Sequence, residues 1–269
     1  MTFSITGHCA RTNMTGVAIT TSSICVGSRC PHAMAGVGAV ATQNITDPTL
    51  AVRVFERLEA GDTAAGAVAA VMEGRANADY RQLAVVDLAG RTGHFTGAHI
   101  LGTNRVVEGD HCIAAGNLLS SLDVPAAMCA AFQAQPDAHL ADRLLRGLEA
   151  GLAAGGEEGP VHSAALLVHH EQPFALVDLR CDWDDEDPVA VLRRLWVDYE
   201  PQMQPYLDRA IDPSAADRKS VAEGKSVDLG GRRIIKKKKR KHIPSRASPP
   251  PRCNTTKHPV NPLPSPPLT

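Results

Sequence analysis

The stretch Thr2–Ser22, TFSITGHCARTNMTGVAITTS, decides the fold. It holds two strand-like runs, Phe3–Cys9 and Gly16–Ser22, rich in β-branched residues. Between them, Asn13 and Gly16 mark a hairpin connection. If the two runs pair antiparallel, the end of the second returns to the start of the first. Thr21, Ser22 and Ser23 then lie near Thr2. A third apolar run, Gly36–Gln43, reads as a buried strand whose glycines permit close backbone approach. It ends on a polar cluster, Thr42-Gln43-Asn44.

Further along, Asp47-Pro48 opens a helix through Val52, Phe55 and Leu58. Asp62-Thr63 caps a second helix through Met72. Arg81–Asp87 and Arg91–Thr96 form another hairpin, and 106–115 reads as a strand pair. Asp123-Val-Pro caps a helix through Phe132. A further helix spans Asp137–Ala154, with apolar residues at 140, 144, 145, 148 and 152, and Gly155-Gly156 ends it. His162–His169 and Phe174–Leu179 are the last strands, and Pro188–Tyr199 is a final amphipathic helix. Helices therefore come in consecutive pairs between groups of strands. That order disfavours a doubly wound parallel sheet and predicts an α+β protein, a four-layer αββα sandwich of antiparallel sheets.

Charge divides the 269 residues into unlike pieces. Residues 217–269 carry 14 basic and 3 acidic side chains, a net of +11, and all eight lysines. Residues 1–216 carry the other 14 basic and 26 acidic side chains, a net of −12. The stretch Asp217–Ile235, followed by KKKKRK, resembles a translated sequencing adapter running into poly-A. Residues 217–269 are therefore expected to be an artefactual, disordered basic tail, and nucleic-acid binding is not argued from its lysines. The acidic first piece disfavours nucleic acid as a partner. No run approaches the roughly 20 apolar residues of a membrane span. The start has no charged segment ahead of an apolar core, so no secretory signal is expected.

Among familiar chemical motifs, Cys-x-x-Cys, the P-loop, Gly-x-Gly-x-x-Gly and Gly-x-Ser-x-Gly are all missing. The cysteines at 9, 25, 30, 112, 129 and 181 read as reduced, mostly buried thiols. The acidic run Asp182–Asp187 reads as an N-capping turn rather than a metal loop. His169-His170 closes a strand, where neighbours point to opposite faces, and is read as a pair of surface histidines. No metal or cofactor is expected. The N-terminus is different. Thr2 is small enough for Met1 to be removed, which exposes a threonine with a free α-amine. That amine, with an ordinary pKa near 8, can take the proton of the threonine's own hydroxyl.

The segments MTFSITGHCA, GVAITTSSICVGSRCPHAMAGVGAVATQNITDP, YRQLAVVDLAGR, LLRGLEAGLAAGGEEGP and ALVDLRCDWDDEDPVAVLRRLW together resemble the DUF1028 family over residues 1 to about 200. That family is similar in fold to the N-terminal nucleophile (Ntn) hydrolases. The resemblance implies an αββα sandwich for residues 1–200. Residues 201–216 resemble the start of a C-terminal extension labelled as a peptidoglycan-binding module.

On this basis Thr2 is the expected nucleophile and Asn117 the expected oxyanion donor, acting with backbone amides. Ser22, Gln43, Asn44 and Arg81 are expected to bind substrate, a small amide or ureide. Some Ntn hydrolases use a nearby lysine; residues 1–216 have none. Arg29 or Arg81 could supply the positive charge, although arginine cannot accept a proton. A capping or turn role competes for Asn44 and Asn117. Arg81 could instead pair with Asp87 or Asp178, and Asp178 with Arg180. The competing functional readings are a non-catalytic ligand-binding or assembly scaffold and a metal hydrolase built on His94, His99 and the 182–187 acids. A cytoplasmic location and a homodimer complete the expectations.

Overall fold

The computed structural model describes residues 1–214, and the expected basic tail lies outside them. Ten strands form two antiparallel sheets, accompanied by five α-helices. The first hairpin is β1 (Thr2–Cys9) and β2 (Met14–Thr21), in register from Thr2 opposite Thr21 to Cys9 opposite Met14. Asn13 adopts φ 57° in its turn, as an Asn readily does. Next come β3 (Pro31–Met34), β4 (Gly38–Asn44), α1 (Thr49–Glu59), α2 (Ala64–Met72), β5 (Arg81–Asp87) and β6 (Thr92–Thr96). They are followed by β7 (Arg105–Gly109), β8 (Cys112–Asn117), α3 (Val124–Gln133), α4 (Leu140–Ala153), β9 (Ser163–His169), β10 (Val177–Cys181) and α5 (Pro188–Ile211). One sheet runs β10-β9-β2-β1-β8-β7 and the other β3-β4-β5-β6.

Three apolar clusters hold these elements together. Phe3, Ile5 and Ala18 of the larger sheet pack with Met128 and Phe132 of α3, Leu144 and Leu148 of α4, and Trp196 of α5. Val40, Leu83 and Val85 of the smaller sheet pack with α1 and α2. A third cluster joins Val17, Ile19, Ile113 and Ala115 of one sheet to Ala39, Ala41, Ala84 and Val86 of the other. Alternation along β1 therefore has an unusual consequence. Its apolar residues face helices, yet Thr2, Ser4, Thr6 and His8 are buried as well. The second sheet covers them, so they must find partners inside the protein.

Two of the expected caps form, whereas Asp123 sits at its N-cap position without a side-chain capping hydrogen bond. The Thr63 hydroxyl accepts from Gly66 N at 3.1 Å, and Asp187 accepts from Val189 N and Ala190 N at 3.0 and 2.9 Å. Asp184 accepts from the amides of Glu186 and Asp187, so the acidic run is spent on a turn and a cap. Gly155 and Gly156, both at positive φ, end α4.

Several boundaries differ from expectation. β3 went unread because Pro31-His-Ala-Met34 is short and carries no alternation. α4 starts at Leu140 with His139 as its cap, not at Asp137, because the His139 ring accepts from Ala141 N at 3.1 Å. β10 starts at Val177; Phe174 stays exposed. α5 continues past its expected end at Tyr199, through Pro201 and Pro205, to Ile211. Each proline removes one helical hydrogen bond. Tyr199, Met203 and Leu207, four residues apart, nonetheless lie on one face and pack against the first cluster.

Candidate functional site

The antiparallel register places Thr2 between two partners, Thr21 on β2 and Asn117 on β8. All three are buried. The Thr2 hydroxyl lies 3.1 Å from the Thr21 hydroxyl and donates to the Met1 carbonyl at 2.6 Å. Thr21 Oγ1 also donates to that carbonyl. Two hydroxyls therefore grip one acyl oxygen beside the residue expected to attack acyl carbon. The chain of contacts continues outward. Thr21 Oγ1 is 3.4 Å from Ser23 Oγ, and the Arg29 guanidinium donates to Ser23 Oγ at 2.6 Å. Arg29 also donates to the carbonyls of Ile24 and Cys25, which fixes the loop after β2. Positive charge thus ends a chain of hydroxyls that starts at Thr2.

Glu157 is a second ionisable group at the site, and sequence reasoning missed it. It forms an isolated bridge with Leu119, just after Asn117. Residues 156–159 run alongside the start of the chain, where Gly159 faces the Met1 side chain. Glu157 is buried, and neither carboxylate oxygen has a hydrogen-bond partner of ordinary geometry among the described residues. Burial pushes its pKa from 4.5 up to about 8, against the opposing pull of the N-terminal ammonium and Ser22. In the sequence Glu157 sits within AAGGEEGP and looks like part of a solvated loop. Only the bridge to Leu119 buries it.

Asn117 belongs to a buried amide network between the sheets. Its Nδ2 donates to Gln82 Oε1 at 3.2 Å, and Gln43 Nε2 donates to the same oxygen at 2.8 Å. Ser4 donates to Gln43 Oε1 at 2.8 Å, and Gln82 Nε2 donates to the Gly116 carbonyl at 3.2 Å. One Nδ2 hydrogen of Asn117 remains for another acceptor. Gln82→Met removes the acceptor shared by Asn117 and Gln43. Leaving two buried donors unpaired costs about 2–4 kcal/mol, to be read in urea denaturation. A loss below about 1 kcal/mol shows that the network does not order this end of the sheets.

The remaining expected residues fall in different places. Ser22 is half-buried and faces Glu157. Gln43 lies in the amide network, two residues along β1 from Thr2 through Ser4. Asn44 sits at φ 69°, where it donates to the Tyr80 carbonyl at 2.8 Å and accepts from Leu101 N at 3.3 Å. It works as a turn residue. Arg81 pairs with neither Asp87 nor Asp178. Its guanidinium donates to the carbonyls of Ile45 and Thr46, while Asp87 binds Arg91 at 2.7 Å. The turn after β4 presents those carbonyls directly to Arg81, whose strand position faces Asn44. Asp178 pairs with Arg180 at 2.7 and 3.0 Å. His94 lies in β6 of the smaller sheet, and His99 packs edge-on against Tyr80 at 5.0 Å between ring centroids. The acids at 182–187 lie at the start of α5. The six described cysteines are free thiols, five of them buried.

Comparison with known proteins agrees with the segments quoted above. The model of DUF1028, a family of unknown function, matches residues 2–192. A crystal structure of a Silicibacter pomeroyi protein matched to the same family shares 33% identity, covering 74% of this chain and 85% of its own, with a TM-score of 0.69. Anbu, the ancestral beta-subunit from Yersinia bercovieri, shares 10% identity over 77% of this chain and 97% of its own, with a TM-score of 0.35. No curated protein matches the sequence significantly. Among the described residues no helix is long and apolar enough to cross a membrane. A match over most of the chain, joined by a solved relative at this identity, makes the chain a member of the DUF1028 family.

Proposed function

We propose that this chain is an amide hydrolase of the N-terminal nucleophile type, acting on a small amide or ureide. In this reading, two sheets packed face to face, each with helices outside, form a four-layer αββα sandwich. Removal of Met1 leaves Thr2 as the first residue, at the end of a buried strand. Its α-amine takes the hydroxyl proton as Thr2 Oγ1 attacks the substrate carbonyl carbon. The tetrahedral oxyanion collapses, the amine of the substrate leaves with that proton, and an ester to Thr2 remains. Water, deprotonated by the same amine, hydrolyses the ester and frees the acid. The observation that carries the reading is the grip of Thr2 and Thr21 on the Met1 carbonyl oxygen. With Met1 gone, Thr21 is free to donate to a substrate oxygen, and the spare N–H of Asn117 is a second donor. The chemistry so written needs no metal or cofactor. The proposal includes a cytoplasmic location and a homodimer.

A specific observation favours the competing scaffold reading. With Met1 attached, the Thr2 nitrogen is an amide, and two surface cavities lie elsewhere. One, of about 630 Å³, is lined by α4 and the start of α5; another, of about 720 Å³, lies at the β5–β6 turn. Intact-mass analysis of the untagged protein, followed by assay against an amide library, separates the two. Loss of Met1 with turnover is expected. Retention of Met1 removes the general base and leaves the scaffold.

A further inference from the structure

The opposite end of β1 carries a pocket of about 270 Å³ that the proposed chemistry does not use; its walls include His8, Arg11, Asp110, His111 and Arg143. Arg143, on α4, is the unusual member. It is only 7% exposed. Its Nε donates to the Phe132 carbonyl at 3.1 Å, and the guanidinium carbon lies 4.0 Å over the Phe132 ring. No carboxylate pairs with it among the described residues, and both terminal nitrogens lack a protein acceptor there. A buried cation without a counter-charge is costly. Here the guanidinium is held by packing and one hydrogen bond, with its two-pronged end left over. That end matches two oxygens of one oxyanion.

The surroundings fit the same ligand. His8 is buried with Nε2 unpartnered, and its Nδ1 meets His111 Nδ1 at 3.0 Å. Arg11, anchored on the Asp137 carbonyl at 2.9 Å, places a second positive charge at the mouth. The Asp110 carboxylate is 86% exposed, so water screens it. Asp87, whose charge also acts on His8, already binds Arg91 and three backbone amides. The volume admits only a small molecule.

We propose that this pocket is a second ligand site, which takes a small oxyanion, a carboxylate or a phosphate, on the Arg143 guanidinium. Six residues of β1 separate His8 from Thr2, about 20 Å at strand rise. The site therefore stands or falls independently of any chemistry at Thr2.

The test is thermal unfolding of the full chain in sodium acetate and, separately, sodium phosphate, with sodium chloride holding ionic strength constant. At about 50 mM, a ligand with a dissociation constant near 5 mM raises the wild-type Tm by about 3 °C in a saturating manner. Acetate acting alone identifies a carboxylate site, and phosphate acting alone a phosphate site. Arg143→Met keeps an unbranched apolar side chain at this buried position, removes the guanidinium, and is expected to lose the shift. Ala10→Glu adds negative charge at an exposed position on the pocket wall. It is expected to lose the shift even if Arg143→Met does not fold. Absence of a saturable shift with both ions overturns the proposal, as does a wild-type shift in Ala10→Glu.

Discussion

Under the proposed chemistry, alanine in place of Thr2 is expected to leave a folded protein that no longer turns over amides. Alanine is no larger than the threonine it replaces, so removal of Met1, and with it the free α-amine, is expected to persist in the variant. Only the attacking oxygen is gone. Loss of a nucleophile that acts in covalent catalysis lowers kcat by at least about 10³-fold. The structural cost is small by comparison. Without Met1, the Thr2 hydroxyl keeps its contact with the Thr21 hydroxyl, worth about 1 kcal/mol and a few degrees of Tm. Kinetics and melting measured on the same preparation therefore separate catalysis from folding. Thr2→Ser, which keeps an attacking oxygen, is expected to retain turnover within about two orders of magnitude. Alanine-variant activity within about tenfold of the wild type would mean that another group attacks the substrate.

Glu157→Gln has the second large effect, and it is read without any substrate. The folded pKa of Glu157 is raised to about 8 from an ordinary 4.5, because burial disfavours its charge. Between those values the native state holds a proton that the unfolded state has released. Stability therefore falls as pH rises through this window, by about 5 kcal/mol in total. Glutamine carries no ionisable proton and removes that slope. At about pH 5 the variant and the wild type should be of similar stability, and at about pH 8.5 the variant should be the more stable by several kcal/mol. Urea denaturation at a series of pH values gives the comparison. Parallel profiles for the two proteins would place Glu157 in water rather than in the protein interior.

Local order was legible in the sequence because it depends on short-range effects. Alternation in Thr2–Cys9, the Asn13 turn, the Thr63 and Asp187 caps and the Gly155-Gly156 stop all act within a few residues. Paired helices between groups of strands were enough to indicate antiparallel sheets. The hairpin also brings Thr21 to Thr2 without any tertiary information, since antiparallel register is a matter of counting. The same counting stops at the edge of a hairpin. Arg81 looks available in the sequence, but the turn after β4 presents two carbonyls to it.

Residues 1–214 thus specify by themselves a threonine at the start of a strand, a polar stripe along that strand, and the elements around it. Tertiary structure alone decided what the polar stripe meets. Packing one sheet on the other turned Thr2, Ser4 and His8 from a face ready for water into buried groups needing partners. It supplied Gln43 and Gln82 from the second sheet, while the bridge to Leu119 laid Glu157 beside the chain start from 155 residues away. Contacts between residues so distant leave no periodicity in the sequence, because burial of a polar side chain is a property of what covers it.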